Sequence, residues 1–219
     1  MSQNVALFNM IEQQIRPWNV LRSEVLETLA CVPRASFIPP HLRALAYSDT
    51  DVPLNENGAA VLSPKLEARL LHDLQLTGSE NVLEIGTGSG YSSALIARHA
   101  RQVVSIEIDE ELAKTAETTL KGLGVENVKV ITGDGSNPAT AQAYGPFDAI
   151  VLSGSVGEFP EQLLPLLSEQ GRLLCICGTE PIMSAMIVYR AQADAKPKAL
   201  WDMNAPRLVN FADVPAFQF

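Results

Sequence analysis

Residues Asn81 to Ala97 read NVLEIGTGSGYSSALIA: a short apolar run, three alternating glycines, then a run with helical spacing. A buried strand that turns through a glycine loop into a helix is the entry to an open α/β sheet, and it sets the reading on either side. Apolar runs at 81–85, 102–107, 127–131, 147–152 and 172–177 alternate with helical patterns at 90–100, 110–121 and 159–169. That alternation predicts a parallel sheet covered on both faces. After Gly178 come MSAMIVYRA, a polar turn QADAKPK and ALWDMNAPRLVNF, which predict two or three antiparallel strands closing the sheet edge.

Upstream, Leu7, Phe8, Ile11 and Ile15 recur at three and four, so Val5 to Arg16 is an amphipathic helix stopped by Pro17. A second helix spans about Ser23 to Val32. The Pro-, Asn- and Asp-rich segment that follows reads as ordered loop with one helical turn at His41 to Ala46. Pro64 opens a helix to about Leu74, with Ser63 as its N-cap. The fold class is α/β: a doubly wound, Rossmann-like, mostly parallel sheet with an N-terminal helical cover and C-terminal antiparallel edge strands. It is expected as one domain over 1–219, divided into the cover at 1–78, the sheet core at 79–178 and the edge strands at 179–219.

A chain of 219 residues that is 47% hydrophobic can bury one sizeable core. Its 25 acidic residues outnumber 16 basic ones, for a net charge of -9, and no Lys or Arg run offers a track for phosphates. Nucleic acid is not expected as a partner. The opening MSQNVALFNMIEQQIRPW lacks a basic region followed by a continuous apolar one, and nowhere do eighteen apolar residues run together. A cytoplasmic protein with no membrane partner is expected. Cys31, Cys175 and Cys177 lack metal-ligand spacing and read as small core residues in a reducing compartment. No metal site is expected, and the spacing of the carboxylates offers none for magnesium.

The glycine loop faces the place where open sheets bind ligands, beyond the carboxyl ends of the strands. Gly86, Gly88 and Gly90, with Thr87 and Ser89 between them, give a backbone that a ligand approaches closely. The loop is G-x-G-x-G, whereas the dinucleotide fingerprint is G-x-G-x-x-G, so NAD is disfavoured. Glu107, followed by Ile108, falls about 20 residues beyond the loop, where a carboxylate accepts hydrogen bonds from ribose hydroxyls. Asp134 and Gly135 end the third strand, and that carboxylate suits an exocyclic amine. Either acid also reads as ordinary strand-end or turn chemistry.

VLEIGTGSGY, SIEID, GDGS and FDAIV resemble, in order and spacing, the motifs of class I S-adenosylmethionine-dependent methyltransferases. The resemblance implies S-adenosyl-L-methionine as cofactor, with Gly86, Gly88 and Gly90 at its methionine part, Glu107 at the ribose and Asp134 with Gly135 at the adenine. Glu84 matches an acidic position that contacts the cofactor region or orders the loop. MIEQQIRP, VPRASFIPPHLRALAYSDTDVPL, GAAVLSP and FPEQLLPLL further resemble the protein-L-isoaspartate O-methyltransferases, over about Met10 to Gly178. That family methylates the carboxylate of isoaspartyl residues in damaged proteins, as the first step of repair.

A carboxylate, with a reference pKa of about 4, is already ionised at neutral pH and needs no general base. His41, His72 and His99 are therefore read as structural, with His99 at a helix C-terminus. One motif departs from the family. Its G-x-T-I-S-x-P pattern supplies hydroxyls to the acceptor site, whereas here, with Gly58 and Pro64 in register, Ala60 and Leu62 stand in their places and Ser63 falls one position late. Ala60, Leu62 and Ser63 are the acceptor-site positions, with Ser63 read as occupied by its capping role. Arg16, Arg34 and Arg43 are candidates for a replacement anion contact, each otherwise an exposed or loop-bracing arginine. Two other functions share these features: a related methyltransferase acting on another carboxylate or small-molecule acceptor, and a non-catalytic cofactor-binding regulator.

Overall fold

The computed structural model describes residues 3–192 and 196–213. The chain begins with α1 (Gln3–Asn9), which continues as a π turn at Met10–Ile15 and a 3-10 turn at Arg16–Trp18 around Pro17. Helix α2 (Ser23–Cys31) ends before Pro33, and the helical turn expected near His41 is a 3-10 turn at Pro40–Leu45. Two short antiparallel strands, β1 (Val52–Pro53) and β2 (Ala60–Val61), lead into α3 (Pro64–Leu74).

The sheet begins with β3 (Asn81–Ile85), and alternation then delivers α4 (Tyr91–Ala97), β4 (Gln102–Glu107), α5 (Glu110–Gly122), β5 (Val128–Thr132), the short α6 (Ala139–Gln142) and β6 (Phe147–Val156). Three further strands, β7 (Leu167–Thr179), β8 (Ile182–Tyr189) and β9 (Lys198–Asp202), complete a seven-stranded sheet of order β5-β4-β3-β6-β7-β8-β9. From β5 to β7 the pairs are parallel; β7 with β8 and β8 with β9 are antiparallel. Alternate side chains of each strand feed opposite faces. Val82 joins the N-terminal cover, with Met10, Leu29, Phe37 and Leu66 fully or nearly fully buried on that side, while Leu83 and Ile85 pack on the other with Phe147 and Leu163.

The pattern at 159–169 does not form the expected helix. A proline inside a helix removes a hydrogen bond and clashes with the preceding turn. Pro165 confines the segment to a 3-10 turn at Glu161–Leu166, and β7 starts at Leu167 rather than at 172. The edge closes with two antiparallel strands, β8 and β9, within the expected two or three. After β9 the chain leaves the sheet and crosses the strand ends as an extended strap, where Leu208 N–H donates to the Ser155 carbonyl at 2.8 Å and Ser155 N–H to that of Pro206 at 2.7 Å. Pro206, within the strap, has no N–H to donate to a ladder.

Cys175 and Cys177 lie on one strand face with their sulfurs 3.3 Å apart, but Cys31, expected in the core, is exposed at the end of α2. His99 bonds Thr28 through Nε2 at 2.7 Å, and burial, reinforced by Arg22, pushes its pKa down. It is a neutral hydrogen-bonding group and not a cation at a helix end. Among the described residues, no helix is long and apolar enough to cross a membrane.

Candidate functional site

Strand order reverses at β3, which has β4 on one side and β6 on the other, and a cleft of about 500 Å³ opens beyond the carboxyl ends there. One wall is the glycine loop. Gly86 and Gly88 have φ of +94° and +53°, in the left-handed region that glycine adopts freely. The opposite wall is the 55–60 loop, and the strap closes one end through Leu208 and Phe211.

Glu107 ends β4 at the floor of the cleft, only 7% exposed. Its Oε2 accepts from Gly88 N–H at 2.7 Å and its Oε1 from Asp109 N–H at 3.0 Å. A carboxylate has about four lone-pair sites, so two remain for ligand hydroxyls. Asp109 itself caps α5, accepting from Glu111 and Leu112 N–H, and binds Asn55 at 3.1 Å. One strand end thus ties the glycine loop, helix α5 and the 55–60 loop together.

The expected residues divide into two groups. Gly86, Gly88, Glu107, Ile108 and Gly135 line the cleft, together with Ala60. Glu84 does not: it is fully buried, with Ser105 at 2.7 Å, Ser153 at 2.8 Å and Ser93 donating to its carboxyl. Burial raises its pKa against the pull of those hydroxyls. It braces β3 against α4, β4 and β6. Thr87 turns its hydroxyl inward to Ser105 at 2.6 Å, and Ser89 is buried beside it. Gly90, at φ +87°, is needed for packing, since a side chain there would meet Ala116 and Leu120 of α5 at 3.3 Å.

Asp134 does not line the cleft, although its neighbour Gly135 does; both its oxygens are engaged, by Ser136 N–H at 2.8 Å and Asn210 Nδ2 at 3.0 Å. Burial pulls its pKa up, but the bonds from Ser136 and Asn210 hold it below the ordinary value. Ser63 corrects a sequence expectation. It occupies the N-cap position of α3 with no side-chain capping bond; its backbone N–H instead donates to Asp51 at 2.6 Å. Leu62 is 2% exposed and part of the core, so it contacts no ligand in the main cleft. Arg16 pairs with exposed Glu12, whereas Arg34 is fully enclosed.

Two contributions were missed. The strap is one, and the other is Ser153. Between Val151 and Ser155 the β6 register slips against β7, a bulge that turns Ser153 toward the cleft. Gly154 in the middle of an apolar strand was its visible signal.

A glycine loop at a switch point, a strand-end carboxylate bonded to it and an α/β sheet with an antiparallel edge define a nucleotide-cofactor-binding fold of the methyltransferase class. The family model for Protein-L-isoaspartate(D-aspartate) O-methyltransferase (PCMT) matches residues 6–205, and the chain belongs to that family. It is similar to a protein-L-isoaspartate O-methyltransferase of Koribacter versatilis, 39% identical over 184 residues, covering 84% of this chain and 81% of that one. A second, from Gloeobacter violaceus, is 39% identical over 171 residues, 78% of this chain and 82% of its own. In fold it is similar to a Plasmodium falciparum protein named as a protein-L-isoaspartate O-methyltransferase and solved with S-adenosyl-L-homocysteine. That structure has a TM-score of 0.73 at 22% identity and covers 92% of this chain and 95% of its own.

Proposed function

We propose that the chain transfers a methyl group from S-adenosyl-L-methionine to the free carboxylate of an isoaspartyl residue in a protein or peptide. The observation that carries this reading is the Glu107 carboxylate, bonded to Gly88 of the loop and presented to a cleft of about 500 Å³. The residues suit the cofactor. Glu107 keeps free lone pairs for ribose hydroxyls, Gly86 and Gly88 leave the backbone open to the methionine part, and Gly135, next to Asp134, borders the adenine end.

The bound cofactor supplies an electrophilic sulfonium methyl group. The protein's contribution is to hold an acceptor oxygen in line and to keep water out, which is how positioning lowers a barrier without acid or base chemistry. A carboxylate acceptor arrives ionised, so no proton has to be removed. The 55–60 loop and the strap enclose the reaction from two sides. The test is mass spectrometry of a peptide with one isoaspartyl residue after incubation with the chain and cofactor. One added methyl ester supports the reading; an unmodified peptide, with cofactor demonstrably bound, defeats it.

A further inference from the structure

Asn-Gly occurs once in the chain, at Asn57–Gly58, and the pair lies in the 55–60 loop that walls the main cleft. Glu56, Asn57 and Gly58 are exposed at the tip between β1 and β2. Asn55 pins the loop around them: its Oδ1 accepts from Asn57 N–H at 3.0 Å and Ala59 N–H at 3.1 Å, and its Nδ2 donates to Asp109 at 3.1 Å. Gly58 N–H, between those two anchored amides, donates to no group among the described residues, and the Asn57 side chain has no hydrogen-bond partner among them either. Gly58 has φ +89° and nothing within 4 Å of the place a Cβ would take, so no side chain screens its nitrogen.

The one Asp-Gly pair in the chain, Asp134–Gly135, is arranged in the opposite way. Both Asp134 oxygens are held, and a Cβ on Gly135 would run into Ile85. That carboxyl is fixed in place, whereas the Asn57 amide is free to turn its carbon onto the next nitrogen.

We propose that Asn57 is a spontaneous modification site, at which the loop deamidates and loosens the cofactor cleft. The Gly58 nitrogen attacks Asn57 Cγ; the N–Cγ bond forms and the Cγ–Nδ2 bond breaks. The proton from Gly58 passes through water to the departing nitrogen, which leaves as ammonia. Water then opens the five-membered imide, and opening at the backbone carbonyl leaves an isoaspartyl link, with one extra methylene in the main chain and a free carboxylate. The product belongs to the acceptor class argued above, but its formation needs no transferase activity and stands apart from that reading. Lengthening the loop breaks the spacing by which Asn55 Oδ1 holds residues 57 and 59 together and Leu54 N–H reaches the Ala59 carbonyl at 2.8 Å. The new carboxylate also enters a cleft lined by Glu107, Asp109 and Glu110, with Arg207 as the cation of that lining.

The test incubates the full chain in warm, mildly alkaline buffer and compares aged with fresh protein, for the wild type and for Asn57→Gln, whose longer side chain disfavours the five-membered ring. Electron-transfer mass spectrometry of the digested chain reads the linkage at residue 57, and calorimetry reads the affinity for S-adenosylhomocysteine. Residue 57 should convert well ahead of Asn55 and Asp134, and the converted wild type should bind about tenfold more weakly, the weight of one hydrogen bond to a charged group. Aged Asn57→Gln should stay within about twofold of its own fresh sample. An amide at residue 57 that lasts as long as that of Asn55 overturns the proposal. So does complete conversion with affinity unchanged, or an equal loss in aged Asn57→Gln, which would place the ageing elsewhere.

Discussion

Glu107→Ala removes a carboxylate that serves the loop and the ligand together. Its two oxygens hold Gly88 N–H at 2.7 Å and Asp109 N–H at 3.0 Å, and their remaining lone pairs face the cleft. A hydrogen bond to a charged group contributes roughly 1.5 to 3 kcal/mol, so losing the ribose contact alone should weaken cofactor binding about 10-fold to 150-fold. The freed Gly88 amide adds to this by unfastening the loop. Glu107→Gln leaves one carbonyl acceptor for Gly88 and should cost less, about tenfold. Calorimetric titration with S-adenosylhomocysteine reads both variants, and a melt recorded beside it separates binding from folding. An Ala variant that stays folded and binds within about twofold of the wild type refutes the assignment of Glu107 to the ribose.

Glu67→Gln should change the pH dependence of stability. With a folded pKa of about 8 against an ordinary 4.5, the native state holds the extra proton between those values, so wild-type stability falls as pH rises through that window and then levels. The variant should escape this loss, by at most roughly 5 kcal/mol above pH 8, and parallel wild-type and variant denaturation curves from pH 5 to 9 would rule the idea out. Gly90→Ala should cost roughly 1 to 3 kcal/mol, because it strains a φ of +87° and crowds α5 at 3.3 Å; an unchanged melting temperature contradicts that. Asn210→Ala, which frees Asp134, should weaken cofactor binding by about 2-fold to 10-fold with little effect on the melt of this exposed residue. Equal affinity would show that the strap does not support the adenine end.

The alternation of apolar and helical runs made the parallel sheet and its cleft legible, because a strand covered on both faces must be apolar throughout. Gly86, Gly88 and Glu107 were readable for a related reason: strand ends in such a sheet have fixed neighbours. What escaped depends on tertiary contacts with no local signature. The helix expected at 159–169 had the right spacing, and only Pro165 argued against it. Ser63 looked like a cap because of its place before Pro64, yet its hydroxyl makes no capping bond. The Glu84 environment draws serines from α4, β4 and β6, so no linear pattern could reveal it. Arg34 and Glu67 come within electrostatic reach of each other only through tertiary packing.

The central claim, carboxylate methylation by the cofactor in this cleft, is tested most directly by comparing transfer from labelled S-adenosyl-L-methionine to an isoaspartyl peptide and to its aspartyl twin. The account predicts saturable label incorporation into the isoaspartyl peptide, released as a base-labile ester, with the aspartyl twin near background and Glu107→Ala impaired at limiting cofactor. Equal labelling of the two peptides, or none in either while the cofactor binds, would contradict it.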